Sequence, residues 1–267
     1  MTTWLLAYIG LGIFGGFVAG LFGVGGGLTI VPLLFMIFTA QQFPPEHIMH
    51  LALGTSMATI VMTSISSMRA HHGHGAVRWD IVKVFAPGLV IGTLGGSFMA
   101  TWVPTRPLAM VFTAIVYYAA VQMMLDFKPK PHRGLPGNFG MFVAGSVIGI
   151  VSSLVAAGGG FLSIPFMLFC NVAIHQAVGT SAALGFPIAV AGTLGFILSG
   201  MKVSGLPEFS LGYVYLPAFI GVVAMSMLIA PLGAKTAHKL PVKQLKRAFG
   251  GFLALLATKM LHGLLLA

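Results

Sequence analysis

The chain is 267 residues long, 57% of them hydrophobic, with 14 Lys and Arg against 4 Asp and Glu and a mean hydropathy of +0.99. Only 7% of its residues are charged, against about 25% in an average soluble domain, so it cannot clothe a water-soluble globule; it reads as a polytopic membrane protein with no room for a soluble catalytic domain. The net charge of +10 then marks cytoplasmic loops and not a nucleic-acid surface, and the single Cys170 excludes an internal disulfide or a thiolate metal cluster.

The first apolar run is Trp4–Phe38. No Lys or Arg precedes Arg69, so Met1–Ala19 is expected to belong to the mature protein and not to a cleaved signal. As a helix this run would be about 50 Å long against a hydrocarbon core of about 30 Å, and Gly25, Gly26 and Gly27 interrupt it. Pro32 removes a backbone hydrogen bond from the helix that resumes, as a hinge or as a fixed bend that shapes the bundle. Three ordinary spans follow, near Met49–Ser67, Val82–Thr101 and Pro107–Leu125. Between the first two of these, His71-His72-Gly73-His74 resembles a short metal-binding tract. It has no Cys or carboxylate beside it, as is also true of His47 with His50, so a solvated cytoplasmic loop is expected and no metal site is assigned.

The second half repeats the plan. Phe139–Val172 is again too long for one span and is interrupted by Gly158, Gly159 and Gly160, with Pro165 beyond them. Ala177–Ser199, Leu211–Ile229 and Leu245–Leu266 follow. Residues 25–32 align with 158–165 at an offset of 133, and His50-Leu51-Ala52-Leu53-Gly54-Thr55-Ser56 aligns with His175-Gln176-Ala177-Val178-Gly179-Thr180-Ser181 at an offset of 125. The chain is therefore read as two transmembrane repeats, 1–125 and 139–267, joined by a cytoplasmic linker, 126–138.

Loop charge sets the topology. If each over-long run enters the membrane and returns, one side collects eleven cations, Arg69, Arg78, Lys83, Lys128, Lys130, Arg133, Lys235, Lys239, Lys243, Lys246 and Arg247, and the other holds three, Arg106, Lys202 and Lys259. A single crossing per run would give eight against six. The returning arrangement leaves three full spans per half and so inverts the second half, the plan of secondary transporters that hold substrate at the midplane between broken helices. The basic loops are then cytoplasmic and both termini periplasmic.

A triple glycine in lipid is costly unless its backbone is buried in protein or lines a wet cavity. At the start of a half-helix it presents unpaired N–H groups and the positive end of a dipole, a ready anion site. Gly25, Gly26, Gly27, Gly158, Gly159 and Gly160 are the candidate substrate cradle; close helix packing is the other use of such residues. Thr55, Ser56, Thr180 and Ser181 add hydroxyl donors, unless they bond their own helices. His50 and His175 are candidate proton or anion contacts, or span ends held by loop backbone. Glu46, Asp80, Asp126 and Glu208 all fall in loops or at edges, so no buried carboxylate awaits a cation. Gly23-x-Gly25 lacks the strand and acidic partner of a dinucleotide site, and there is no P-loop.

Gly20-Leu21-Phe22-Gly23-Val24-Gly25-Gly26-Gly27 with Pro32, the repeated Gly-Gly-Gly-x4-Pro, the paired Gly-Thr-Ser and Gly75-Ala76-Val77-Arg78-Trp79-Asp80 resemble the TauE/SafE sulfite exporter family over almost the whole chain. That resemblance implies a bacterial-type inner-membrane permease for sulfite, an organosulfonate or a related small anion, often working as an exporter. Ala156-Ala157 stands where the first half has Gly23-Val24, so the two half-sites need not contribute equally. The expectation is an all-α, multi-pass secondary transporter, not an enzyme, without a cofactor, acting by alternating access. An anion channel, a small-carboxylate permease or a metal permease using His71, His72 and His74 are the alternatives. Expected partners are a small anion, the bilayer, a coupling proton and a second copy of the chain in a homodimer, with no nucleic acid.

Overall fold

The computed structural model describes residues 2–22, 26–125, 134–237 and 242–266. Among these residues are ten helices and one small hairpin: α1 (Thr2–Phe22), α2 (Gly27–Ala40), α3 (Ile48–Gly73), α4 (Trp79–Trp102), α5 (Thr105–Leu125), α6 (Asn138–Val155), α7 (Gly160–Phe169), α8 (Ile174–Gly200), β1 (Ser210–Leu211), β2 (Val214–Tyr215), α9 (Leu216–Ala237) and α10 (Val242–Leu266). The protein is an all-α, multi-pass membrane protein: α1, α3, α4, α5, α6, α8 and α9 each hold an apolar stretch long enough to cross a bilayer.

Each over-long run resolves into a full-length helix and a half-helix. α2 has 14 residues and α7 has 10, reaching about 21 and 15 Å at 1.5 Å per residue. The chain leaves the helix where glycine permits it. Gly26 and Gly159, at equivalent positions, hold φ of 73° and 86°, left-handed values that glycine adopts without a Cβ penalty, and each immediately precedes its half-helix. Both half-helices run through Pro32 and Pro165 without ending.

α2 turns back along α1. Gln41, just past its end, donates from Nε2 to the Tyr8 hydroxyl at 2.6 Å, and Phe38 meets the Tyr8 ring edge-on. α7 does the same beside α6: Phe166 stacks on Phe85 at 5.3 Å, and Phe85 lies against Gly145 in the N-terminal half of α6.

The two halves interlock. α1 packs on α9 and α6 on α4, so the first helix of each half leans on the fourth of the other; α3 packs on α8 and α5 on α10. Glycine makes the first two pairs close. Gly12, Gly16 and Gly20 lay one face of α1 on the backbone of Val222, Ser226 and Ala230, and Gly88, Gly92 and Gly96 lay α4 on Phe142, Ser146 and Ile150. Small residues at a spacing of four let helix backbones meet where water supplies no driving force. Alanine at Gly92 would overlap the Ser146 carbonyl, whereas Gly95 faces open space. We expect Gly92→Ala to lower the thermal midpoint in detergent sharply, and Gly95→Ala to leave it unchanged or raise it through the better helix propensity of alanine.

Two segments differ from the sequence expectation. Residues 211–215, predicted as the start of a span, form a hairpin in which Ser210 pairs with Tyr215 and Leu211 with Val214; Gly212, at φ 55°, turns the chain and a helix starts only at Leu216. The histidine tract is not a loop: α3 continues past Ser67 to Gly73, so His71 and His72 form its last turn. Hydropathy falls there, but the chain leaves the helix only at His74 and turns at Gly75, at φ 66°.

Candidate functional site

The two breaks meet inside the bundle. Gly27, the first residue of α2, lies so close to the Ala156 carbonyl that a Cβ would overlap it. Ala156 closes α6 in a left-handed conformation, φ 45°. The carbonyl end of α6 thus faces the amide end of α2, and opposite partial charges meet. Gly158 lines a cavity, Gly159 sets the turn, and Gly160 starts α7; Gly185 on α8 admits the Gly158 carbonyl at close range. Gly25 lies outside the described residues.

The cavity, about 310 Å³, runs along α3 from Ile60 to His71. Thr63, Ser64, Ser66, Ser67 and His71 form its polar wall, while Ala19 and Gly20 of α1 and Met227, Ala230 and Pro231 of α9 form an apolar one. Among the described residues no Asp or Glu lines it. It lies toward the end of α3 near Arg69 and Arg78. Arg78 pairs with Asp80, its Nε donating to a carboxylate oxygen at 2.8 Å, and that pairing raises the guanidinium above its ordinary value. Sequence reasoning missed this hydroxyl wall, although Thr63-Ser64-Ile65-Ser66-Ser67 inside a span was its signal. A second cavity, about 430 Å³, lies between Trp4 and Tyr8 of α1, Gln41, Phe43 and Tyr215.

The paired Gly-Thr-Ser motifs do matching work. The hydroxyl oxygen of Thr55 accepts the Tyr215 backbone N–H, and that of Thr180 accepts the Arg78 backbone N–H, each at 3.0 Å. These N–H groups stand just before α9 and α4. The preceding glycines make room: a Cβ on Gly54 would strike the Tyr213 carbonyl, and one on Gly179 the Ala76 carbonyl. Ser56 and Ser181 are 0% and 1% exposed, and neither hydroxyl has a hydrogen-bond partner. Of each triplet, then, the glycine and threonine fasten the fold, and the serine hydroxyl is the polar group still to be satisfied.

The two histidines part company. His50 is buried, with Nε2 3.2 Å from the Ala100 carbonyl and 3.1 Å from that of Val103; two acceptors make Nε2 the protonated nitrogen. It closes the C-terminal end of α4 and stacks on Tyr213 at 5.0 Å, whose phenol burial pushes above its usual range. His175 is exposed. We expect His50→Ala to cost about 1–3 kcal/mol, since buried acceptors lose their donor, and His175→Ala to stay within about 0.5 kcal/mol; unfolding midpoints in detergent check both. In the histidine tract, His71 lines the cavity, His72 accepts from the Trp79 indole, and His74 sits against the Ala70 carbonyl. Among the described residues no three metal-ligating side chains converge.

Broken helices meeting inside a helical bundle, beside a cavity with one polar wall, define a membrane transporter architecture. The comparisons give the family. The chain belongs to the TauE/SafE sulfite exporter family, whose model matches residues 8–260. It is 37% identical to a probable membrane transporter protein of Haemophilus influenzae, over 97% of this chain and 99% of that one. It is 26% identical to the probable membrane transporter protein YdhB of Bacillus subtilis over 87% and 90% of the two chains, and 22% identical to the probable membrane transporter protein MJ0441 of Methanocaldococcus jannaschii over 94% and 93%. No solved structure matches.

Proposed function

We propose that this membrane transporter is a secondary carrier that exports a small sulfur-containing anion, sulfite or an organosulfonate, across the inner membrane by alternating access. One observation carries the reading. The repeat makes residues 63–67 of α3 the counterparts of 188–192 of α8, yet the first set borders an open cavity and Ile188, Ala189, Ala191 and Gly192 are buried. Two equivalent faces around one pair of touching breaks, one open and one sealed, is the asymmetry that a rocking carrier has in either end state. The exchanged pairing of α1 with α9 and α6 with α4 supports inverted repeats.

The end of the bundle near Arg69 and Arg78 is cytoplasmic by the bias of basic loops, which puts the open cavity on the loading side for export and both termini in the periplasm. Backbone N–H groups at Gly158 and Gly160 and the hydroxyls of Ser56 and Ser181 are the donors for the anion, because a half-helix start favours negative charge and unpartnered hydroxyls gain a bond only when an acceptor arrives; the Gly159 N–H, the third glycine donor expected from the sequence, is already taken by the Ala157 carbonyl at 2.7 Å. The family description supports sulfite; the donor set supports any small oxyanion.

The test is thermal stability of the purified protein in detergent with sulfite, sulfate, thiosulfate, sulfoacetate, taurine, short carboxylates, nickel and cobalt. A ligand held at about 100 times its Kd stabilises the folded state by about 2.7 kcal/mol. An upward shift with a sulfur oxyanion or sulfonate is the expected result. A shift with a divalent metal alone would overturn the reading and return attention to His71.

A further inference from the structure

The repeat gives each residue around the open cavity a counterpart in the other half. Counterparts are 125 residues apart on α3 and α8 and 133 apart on α1 and α6. On α4 and α9 they are 137 apart, because Gly149 lies on Leu89 as Gly16 lies on Ser226. Carried across the repeat, hydroxyls and methyls exchange places. Thr63 and Ser64 of the polar wall become Ile188 and Ala189, while Ala19 and Ala230 of the apolar wall become Ser152 and Thr93. The counterpart surface is therefore also half polar, but its hydroxyls stand on the opposite wall.

That surface is sealed in this structure. Ser152 and Thr93 are 1% and 0% exposed, and neither hydroxyl has a hydrogen-bond partner. They lie on the packed α4–α6 pair, Thr93 against Gly149, less than one turn before Ser152 on α6. Packing does not need these hydroxyls, since alanine fills both counterpart positions. A buried hydroxyl without a partner is destabilising, so the sealed face is strained at these two residues and at ease at Ile188 and Ala189. Opening it to water or an anion would satisfy both.

We infer that Ser152 and Thr93 form a second half-site, a pair of hydroxyl donors for a small oxyanion, which opens to the side of the membrane opposite the present cavity when that cavity closes. The inference rests on the alternating-access reading above and adds to it the residues through which the anion leaves. It also separates the two faces chemically: the loading face offers α3 hydroxyls with His71, and the release face offers two hydroxyls without an ionisable neighbour at the His71 counterpart, Phe196.

The experiment uses the full chain in oriented membrane vesicles with Cys170→Ser, which removes the one native thiol. Ser64→Cys, Ser152→Cys and Thr93→Cys are added singly and treated with a membrane-impermeant thiol reagent from each face, with sulfoacetate flux measured in the same vesicles. The expected result is modification of Ser64→Cys from the basic-loop face and of Ser152→Cys and Thr93→Cys from the opposite face, together with a loss of about tenfold in flux for Ser152→Ala with Thr93→Val, the effect of about 1.4 kcal/mol of lost binding. Either cysteine suffices if the other variant fails to insert. Flux that continues while both release-face cysteines stay unreactive, or react only from the basic-loop face, overturns the half-site and leaves the transport reading standing. Absence of flux for sulfoacetate and sulfite in the unsubstituted chain overturns the transport reading and the half-site with it.

Discussion

Alanine at Gly27 is expected to abolish transport and lower the thermal midpoint far more than alanine at Gly26, although the two glycines are neighbours in one motif. The added methyl at Gly27 would overlap the Ala156 carbonyl oxygen and come within 2.8 Å of its carbon and 3.1 Å of Ile60. Ala156 has little room to withdraw. It already holds φ 45°, and the next residues are tied down by Ala157 N–H to the Ser152 carbonyl at 3.1 Å and Gly159 N–H to the Ala157 carbonyl at 2.7 Å. Overpacking a rigid contact typically costs about 1–3 kcal/mol and sometimes more, and here it would wedge the two breaks apart. At Gly26 the nearest atoms to a Cβ are side-chain carbons of Ala19 and Ile30 at 3.2 and 3.3 Å, so the penalty is chiefly the left-handed backbone, about 1–2 kcal/mol. Unfolding midpoints in detergent and anion flux, measured on both variants, decide the matter; a Gly27→Ala protein as stable and as active as the native one would refute the contact between the breaks.

How far the sequence revealed the molecule can be traced residue by residue. The broken helices were legible because three glycines inside an over-long apolar run are both a compositional and a length signal, and the second copy at a fixed offset removed chance as an explanation. The glycine rows at 12, 16 and 20 and at 88, 92 and 96 were equally visible as a spacing, yet a spacing names no partner; only the fold assigns α9 to one and α6 to the other. His50 and His175 illustrate the limit from the other side. Their local motifs match, but the carbonyls that hold His50 belong to residues 100 and 103, far outside any local window. The contact between the breaks was not legible, since nothing local to Ala156-Ala157 indicated that the Ala156 carbonyl would meet Gly27.

The second large effect is expected at the paired threonines. Thr180→Val removes the acceptor of the Arg78 N–H and Thr55→Val that of the Tyr215 N–H, partners 102 and 160 residues away, while keeping the side-chain shape. Each unsatisfied donor should cost about 1–3 kcal/mol, and serine at either position, which retains the oxygen, should restore most of it. Detergent unfolding of the two valine variants, the two serine variants and the double valine variant forms a complete cycle. Sites without shared partners add within about 0.5 kcal/mol, so a larger departure would mean that the two staples communicate through the packed α3–α8 pair. The fastening also links the two sequence halves. Thr55 ties α3 of the first half to the start of α9 in the second, and Thr180 ties α8 of the second half to the start of α4 in the first. With α1 packed on α9 and α6 on α4, each staple joins α3 or α8 to a helix pair drawn from both sequence halves. On the alternating-access proposal, the α3 and α8 walls move against the α1–α9 and α4–α6 pairs, and Thr55 and Thr180 hold the ends of those seams. Valine at Thr55 or Thr180 should therefore reduce anion flux by more than the loss of folded protein explains, whereas flux that merely follows the amount of folded protein would leave the staples a role in stability alone.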